Sequence, residues 1–144
     1  MDRLVGRALE PLRLPAERKG LIFRTELPSA VLTGDLSWLG EAVGNLAKNS
    51  VEHTPPGGEI AVRCVDNPLY ILLEIRDSGP GIPEEDLPHI FERFYRGKNA
   101  AADSVGIGLA LSKSIVARHG GSLEAQSHPG KGTCFRMKFY KTIV

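Results

Sequence analysis

The feature that most constrains this chain is a glycine- and proline-rich stretch without sustained apolar periodicity, from about residue 78 to 102. An apolar run at residues 69–77 precedes it, and a helical pattern begins again near Ser104. A compact domain rarely carries so long an irregular segment unless that segment is a lid or a binding loop. Only short helical turns fit within it, one near residues 84–87. The regular elements on either side must therefore form the scaffold, and the loop must serve something bound to it.

Those elements can be read from spacing. The pattern predicts a helix over residues 2–19, with Pro11 and Pro15 interrupting or ending its regular part. Residues 21–27 partly alternate and read as a strand. Residues 30–33 can pair with it as a short second strand after a turn at Pro28-Ser29. Asp35 is a good N-cap for a helix running to about His53. On that helix Leu39, Val43, Leu46 and Ser50 fall on one mainly apolar face. The run TPPGG at 54–58 stops it. Strands over 59–65 and 69–77 follow, joined by a turn at Asp66-Asn67-Pro68. The helix beginning near Ser104 places Ile107, Ala110, Leu111, Ser114 and Ile115 on one face, and Gly120-Gly121 ends it. The last strands, 122–127 and 133–139, join through Pro129-Gly130-Lys131-Gly132. The reading is one α+β domain over residues 1–144: a two-layer sandwich with three helices on one face of a mixed, mostly antiparallel sheet of about five strands.

Composition narrows the function. The 144 residues are 42% hydrophobic and 24% charged, ordinary for a soluble domain. A formal net charge of +1 gives no bulk field toward nucleic acid or a membrane surface, so neither is expected as a direct partner. No apolar run approaches the roughly 20 residues of a membrane span, and the start, MDRLVGRALEPL, lacks a signal-peptide core. Cys64 and Cys134 are far apart and outside any CxxC pattern, which argues for buried free thiols rather than a disulfide or zinc site.

Four features carry chemistry. Glu41, Asn45 and Asn49 recur every four residues along one side of the second helix. Asparagine is a mediocre helix former, whereas its carboxamide oxygen is a hard, neutral ligand suited to Mg²⁺. A solvated helix face explains the same stripe equally well. Asp77 closes an apolar strand and opens DSGPGI at 77–82. A carboxylate there can accept from an exocyclic amine, and the glycines let backbone approach a flat ligand. A plain tight turn is the alternative. Gly106 and Gly108 open a helix whose free amides and dipole suit an anion. No GK[ST] follows and no strand leads directly in, which excludes the Walker and Rossmann designs. GKGT at 130–133 is explained by a hairpin turn alone.

In this order the pieces resemble the boxes of the histidine-kinase catalytic domain, within the ATPase group shared with gyrase, Hsp90 and MutL. NLAKNSVEHT (45–54) is similar to the N box, DSGPGI (77–82) to the first glycine box and FERFYR (91–96) to the F box. GIGLAL (106–111) resembles the second glycine box and GKGTCF (130–135) the third. The match covers nearly the whole chain, and the FERFYR-type box points to histidine kinases rather than to gyrase or Hsp90 relatives. The resemblance implies a Bergerat-type ATP-binding fold with ATP and Mg²⁺ as ligands. Asn49 would ligand Mg²⁺, with Asn45 one turn earlier facing the phosphates and metal shell. Asp77 would read the adenine amine, supported by Gly79, Gly81 and Ile82, with Thr133 contributing from the third glycine box. Residues 97–105 would form the ATP lid. Gly106, Ile107, Gly108 and Leu109 would start the lid helix against the phosphates, and Phe91 and Phe94 would anchor the lid base or simply pack. Arg93, Arg96 and Lys98 are candidate phosphate contacts, Arg93 and Arg96 also as catalytic residues beside Asn45. His53 would donate to a phosphate or merely satisfy a helix end. Many family members carry Lys or Arg where this chain has Glu52. Either Glu52 points away, or the basic role passes to Arg93, Arg96 or Lys98.

In such a family the nucleophile is a histidine on a separate helical dimerisation domain. His53, His89, His119 and His128 all lie in other contexts, so that acceptor and its domain are expected to be absent from this chain. The expected function is transfer of the ATP γ-phosphate to that histidine. A response regulator would be an indirect partner, and the parent a membrane-anchored bacterial sensor with this portion in the cytoplasm. An anti-sigma-type serine kinase and a non-catalytic, nucleotide-regulated binding module are the alternatives.

Overall fold

The computed structural model describes residues 1–28, 34–94, 108–128 and 130–141. In chain order it contains α1 (Asp2–Leu9), a 3-10 turn (Glu10–Leu12), α2 (Arg13–Arg18), β1 (Ile22–Glu26) and α3 (Leu36–His53). Then come β2 (Glu59–Asp66), β3 (Tyr70–Asp77), a 3-10 turn (Leu87–His89), α4 (Gly108–Arg118), β4 (Gly121–His128) and β5 (Gly132–Tyr140). The strands form one sheet in the order β1-β2-β3-β5-β4. Among the described strands the β1–β2 pair is parallel and the other pairs are antiparallel.

The expected first helix is split. Pro11 sits in the 3-10 turn between α1 and α2. Pro15 falls in the first turn of α2, where a missing amide costs little because first-turn amides have no helical partner. Asp35 caps α3 as expected: its Oδ1 accepts from the amides of Ser37 at 2.9 Å and Trp38 at 3.1 Å. The strand expected at residues 30–33 and the first turn of the helix expected from Ser104 lie outside the described residues.

Strand alternation sorts the sheet into two faces. Ile60, Val62, Ile71, Leu73, Ile75, Phe135, Met137 and Phe139 point to the helices and are buried. Against them pack Leu39, Val43, Leu46 and Ala47 of α3, Val5 and Leu9 of α1, and Ile115 and Val116 of α4. The opposite face is polar, with Glu74 held between Arg136 at 3.2 Å and Arg63 at 3.6 Å. Cys64 and Cys134 are both buried thiols, on opposite faces by the same alternation. Helices cover one face, and this layering leaves the end of β3 and the start of β5 beside the C-terminal end of α3.

Candidate functional site

Asp77 is the last residue of β3, where alternation turns its side chain to the helical face. It is 5% exposed. Its Oδ1 accepts from the amide of Gly79 at 2.9 Å and from that of Thr133 at 3.3 Å. Burial pushes the carboxyl above the usual aspartate value near 3.8; the two amides, the Ser50 hydroxyl and His53 pull the other way. Both amide bonds fall on Oδ1, which leaves Oδ2 to accept from a ligand. The Ser50 hydroxyl lies against this carboxylate, fully buried, yet no partner meets its oxygen at hydrogen-bonding geometry among the described residues. A buried hydroxyl in that state suits a water or a ligand atom.

Two glycines make the walls close. A methyl group on Gly79 would lie 2.9 Å from the His53 carbonyl oxygen. At Gly132, φ is 96°, and a methyl group would collide with the Asp77 carbonyl oxygen. Thus the strand end, the end of α3 and the β4–β5 turn meet at van der Waals distance around one carboxylate. Thr133 is itself buried. Ile82 is half-buried, and its amide donates to the Ser127 hydroxyl at 2.5 Å. Gly81 has φ 84° and lies against the end of β4.

Asn45 and Asn49 are half-buried on α3. The Asn45 Nδ2 donates to the Gly108 carbonyl at 3.3 Å, joining α3 to the start of α4. No described residue bonds the Asn49 carboxamide. Its oxygen fits a hard cation that takes its other ligands from phosphates and water. No cluster of three or more His, Cys, Asp or Glu able to hold a metal exists among the described residues. A cation here would therefore depend on a phosphate ligand.

Residues 34–143 match the family described as histidine kinase-, DNA gyrase B-, and HSP90-like ATPase. The chain belongs to this ATPase family. A signal transduction histidine-protein kinase/phosphatase, MprB, of Mycobacterium sp. (strain KMS) is 37% identical over 142 residues, 97% of this chain and 27% of that protein. Sensor protein SrrB of Staphylococcus aureus (strain MRSA252) is 38% identical over 114 residues, 77% of this chain and 20% of that protein. The solved structure of the mycobacterial sensor histidine kinase MprB superposes with a TM-score of 0.88 at 34% identity, covering 97% of this chain and 95% of that one. Within the family the chain is a histidine-kinase ATP-binding catalytic domain, and it matches 27% and 20% of the length of these two relatives.

Other expected site residues of this kinase-type domain are less tightly gathered. His53 is half-buried at the end of α3 and acts electrostatically on Asp77. Gly108 is exposed at the start of α4, and Leu109 is half-buried against the core. Phe91 packs edge-on against Phe135, ring centroids 6.3 Å apart, beneath the Lys113 ammonium at 5.2 Å. Phe94 instead is 61% exposed with φ 64°, and the Arg93 guanidinium lies 5.0 Å from its ring. Arg96, Lys98, Gly106, Ile107 and the lid at 97–105 lie outside the described residues. Glu41 is exposed. Glu52 is exposed too, its carboxylate 3.9 Å from the Lys48 ammonium one turn back; it faces solvent, as the first of the two expected arrangements requires.

Sequence reasoning missed Ser127 and Lys19. Ser127 shares a strand face with Leu123 and Ala125, so a polar residue at the core-facing end of β4 was the available signal. Lys19 donates to the carbonyls of Val51 at 2.8 Å and Glu52 at 3.2 Å, neutralising the C-terminal end of α3. Nothing in its local sequence marks that contact, which spans more than thirty positions.

Proposed function

We propose that this ATPase-family domain binds Mg·ATP and delivers the γ-phosphoryl group to a histidine on a separate helical dimerisation domain of its parent protein. The observation that carries the reading is Asp77: a buried strand-end carboxylate whose Oδ1 is taken by two backbone amides while Oδ2 remains for an exocyclic amine. Gly79 and Gly81 let the loop backbone approach the base, Ile82 lines it, and Thr133 fixes the carboxylate from the opposite side. Asn45, Asn49 and His53 lie on the same helix, each about one turn from the next, and run from the phosphate end toward Asp77. Asn49 would hold Mg²⁺, and the ion would supply positive charge to the phosphates. Asn45 would orient the phosphates while its amide ties the start of α4. Gly106, Ile107, Gly108 and Leu109 would present the start of that helix to the phosphates. Arg93, Arg96 and Lys98 would supply positive charge to the phosphates.

Phosphoryl transfer demands positioning and charge neutralisation more than covalent chemistry from the protein. The chain's residues supply positioning; the acceptor imidazole must come from elsewhere. A response regulator would then receive the phosphoryl group from that histidine. Relatives are sensor kinases by name, which supports a parent anchored in a membrane with this domain in the cytoplasm. No helix among the described residues is long and apolar enough to cross a membrane.

Titration calorimetry with ADP and Mg²⁺ tests the site. Micromolar-range binding to the wild type, lost in Asp77→Ala, is expected. Absence of binding at millimolar nucleotide would mean that the boxes preserve a fold and not a nucleotide site.

A further inference from the structure

Resting on the nucleotide reading above, we infer that Ser127 is a positioning residue that sets the purine preference of the site, fixing both the glycine loop and the polarity of the Thr133 hydroxyl. The Ser127 Oγ accepts from the Ile82 amide at 2.5 Å, lies 3.3 Å from the Gly132 carbonyl and stands 3.4 Å from Thr133 Oγ1. A serine hydroxyl has one proton and two lone pairs. The carbonyl of Gly132 can only accept, so the Ser127 proton goes there. Thr133 must then donate in its contact with Ser127, and its remaining lone pairs are all that it can offer a ligand. Thr133 adjoins Asp77 through its own amide at 3.3 Å. Two neighbouring oxygens therefore present acceptors only. A 6-amino purine brings a donor to such a place; a 6-oxo purine puts an acceptor at that position and loses the contact made there.

The same hydroxyl fastens the loop that brings the base to these acceptors. Ile82 is tied to β4 by Ser127, and Pro80 is tied to the β4–β5 turn by the Gly130 amide at 2.8 Å. Gly81, between them, has no side chain to hold the strands off: a methyl group there would lie 2.9 Å from Ser127 Oγ and 2.8 Å from the His128 carbonyl oxygen. Loop and hairpin are thus one unit, and Ser127 is its central knot. A residue with a merely structural role would affect binding of all nucleotides alike; Ser127 should affect their ratio.

The test is calorimetric titration of wild type and Ser127→Ala with ADP and with GDP, alongside amide hydrogen exchange at Ile82. The wild type should prefer ADP. In Ser127→Ala, ADP should bind about three- to tenfold more weakly, the value of one net hydrogen bond, while GDP changes little, so the preference narrows. The Ile82 amide should be protected in the wild type like its strand neighbours and exchange faster in the variant. An unchanged ADP-to-GDP ratio in a folded variant overturns the inference. So does an Ile82 amide in the wild type that exchanges like an open loop, a measurement that holds even if the variant does not fold. A wild type that binds neither nucleotide overturns the nucleotide reading itself.

Discussion

At Asp77 burial and hydrogen bonding oppose each other, and burial prevails, so its carboxyl titrates above the ordinary value. The folded protein then holds that proton more tightly than the unfolded chain does. The charged form costs folding stability at neutral pH, and the cost shrinks as pH falls through the raised value and is gone below the unfolded value near 3.8. Two outcomes follow at this residue. Asp77→Asn keeps an oxygen for the two amides but loses the charged acceptor, so it should not lower the unfolding midpoint at neutral pH while weakening ADP by about tenfold or more. In the wild type, ADP affinity should fall as pH drops through the raised value, and Asp77→Asn should flatten that dependence; calorimetry across pH checks both. The acidic strand end was legible in the sequence because an apolar run stops at Asp77 and glycines follow at once. Ser50 was legible only as a member of an apolar face. Its place against the Asp77 carboxylate depends on a neighbour twenty-seven positions later, which no local pattern encodes.

The elements differ in how much of them a linear pattern could specify. Helix α3 was fully readable: cap, apolar stripe and proline-glycine stop all agree along eighteen residues. The first helix was not, because Pro11 allows either a kink or an end, and only packing of α1 against α3 selects a short tight turn followed by α2. The order β3-β5-β4 was also hidden, since alternation tells which face a residue takes and not which strand lies beside it. Two helix ends can be tested by chemical denaturation. Asp35→Ala removes the side chain that caps Ser37 and Trp38 and should cost about 1 kcal/mol. Lys19→Met leaves the Val51 and Glu52 carbonyls without their ammonium and should cost about 1–2 kcal/mol. Because those carbonyls belong to the turn that ends in His53, ADP binding should weaken in Lys19→Met and not in Asp35→Ala, at the other end of the helix.

At the scale of the molecule, the site is a seam between three parts: the end of α3, the end of β3 and the β4–β5 hairpin. In the proposed reading the domain positions ATP, and the acceptor histidine belongs to a separate domain. The isolated chain should therefore incorporate no acid-labile, base-stable phosphate from labelled ATP, whereas adding the parent's histidine-bearing domain in trans should yield it. Stable self-labelling of the isolated chain would sink that reading. The hairpin's part in the seam has a consequence for biosynthesis. β5 is synthesised after the other described strands, yet it lies between β3 and β4 and delivers the Thr133 amide to a carboxylate fifty-six positions earlier. Until it threads into place, β4 has no strand partner and the candidate site lacks a wall. Nucleotide capture would thus follow the docking of β5 and mark the moment at which the sheet has closed.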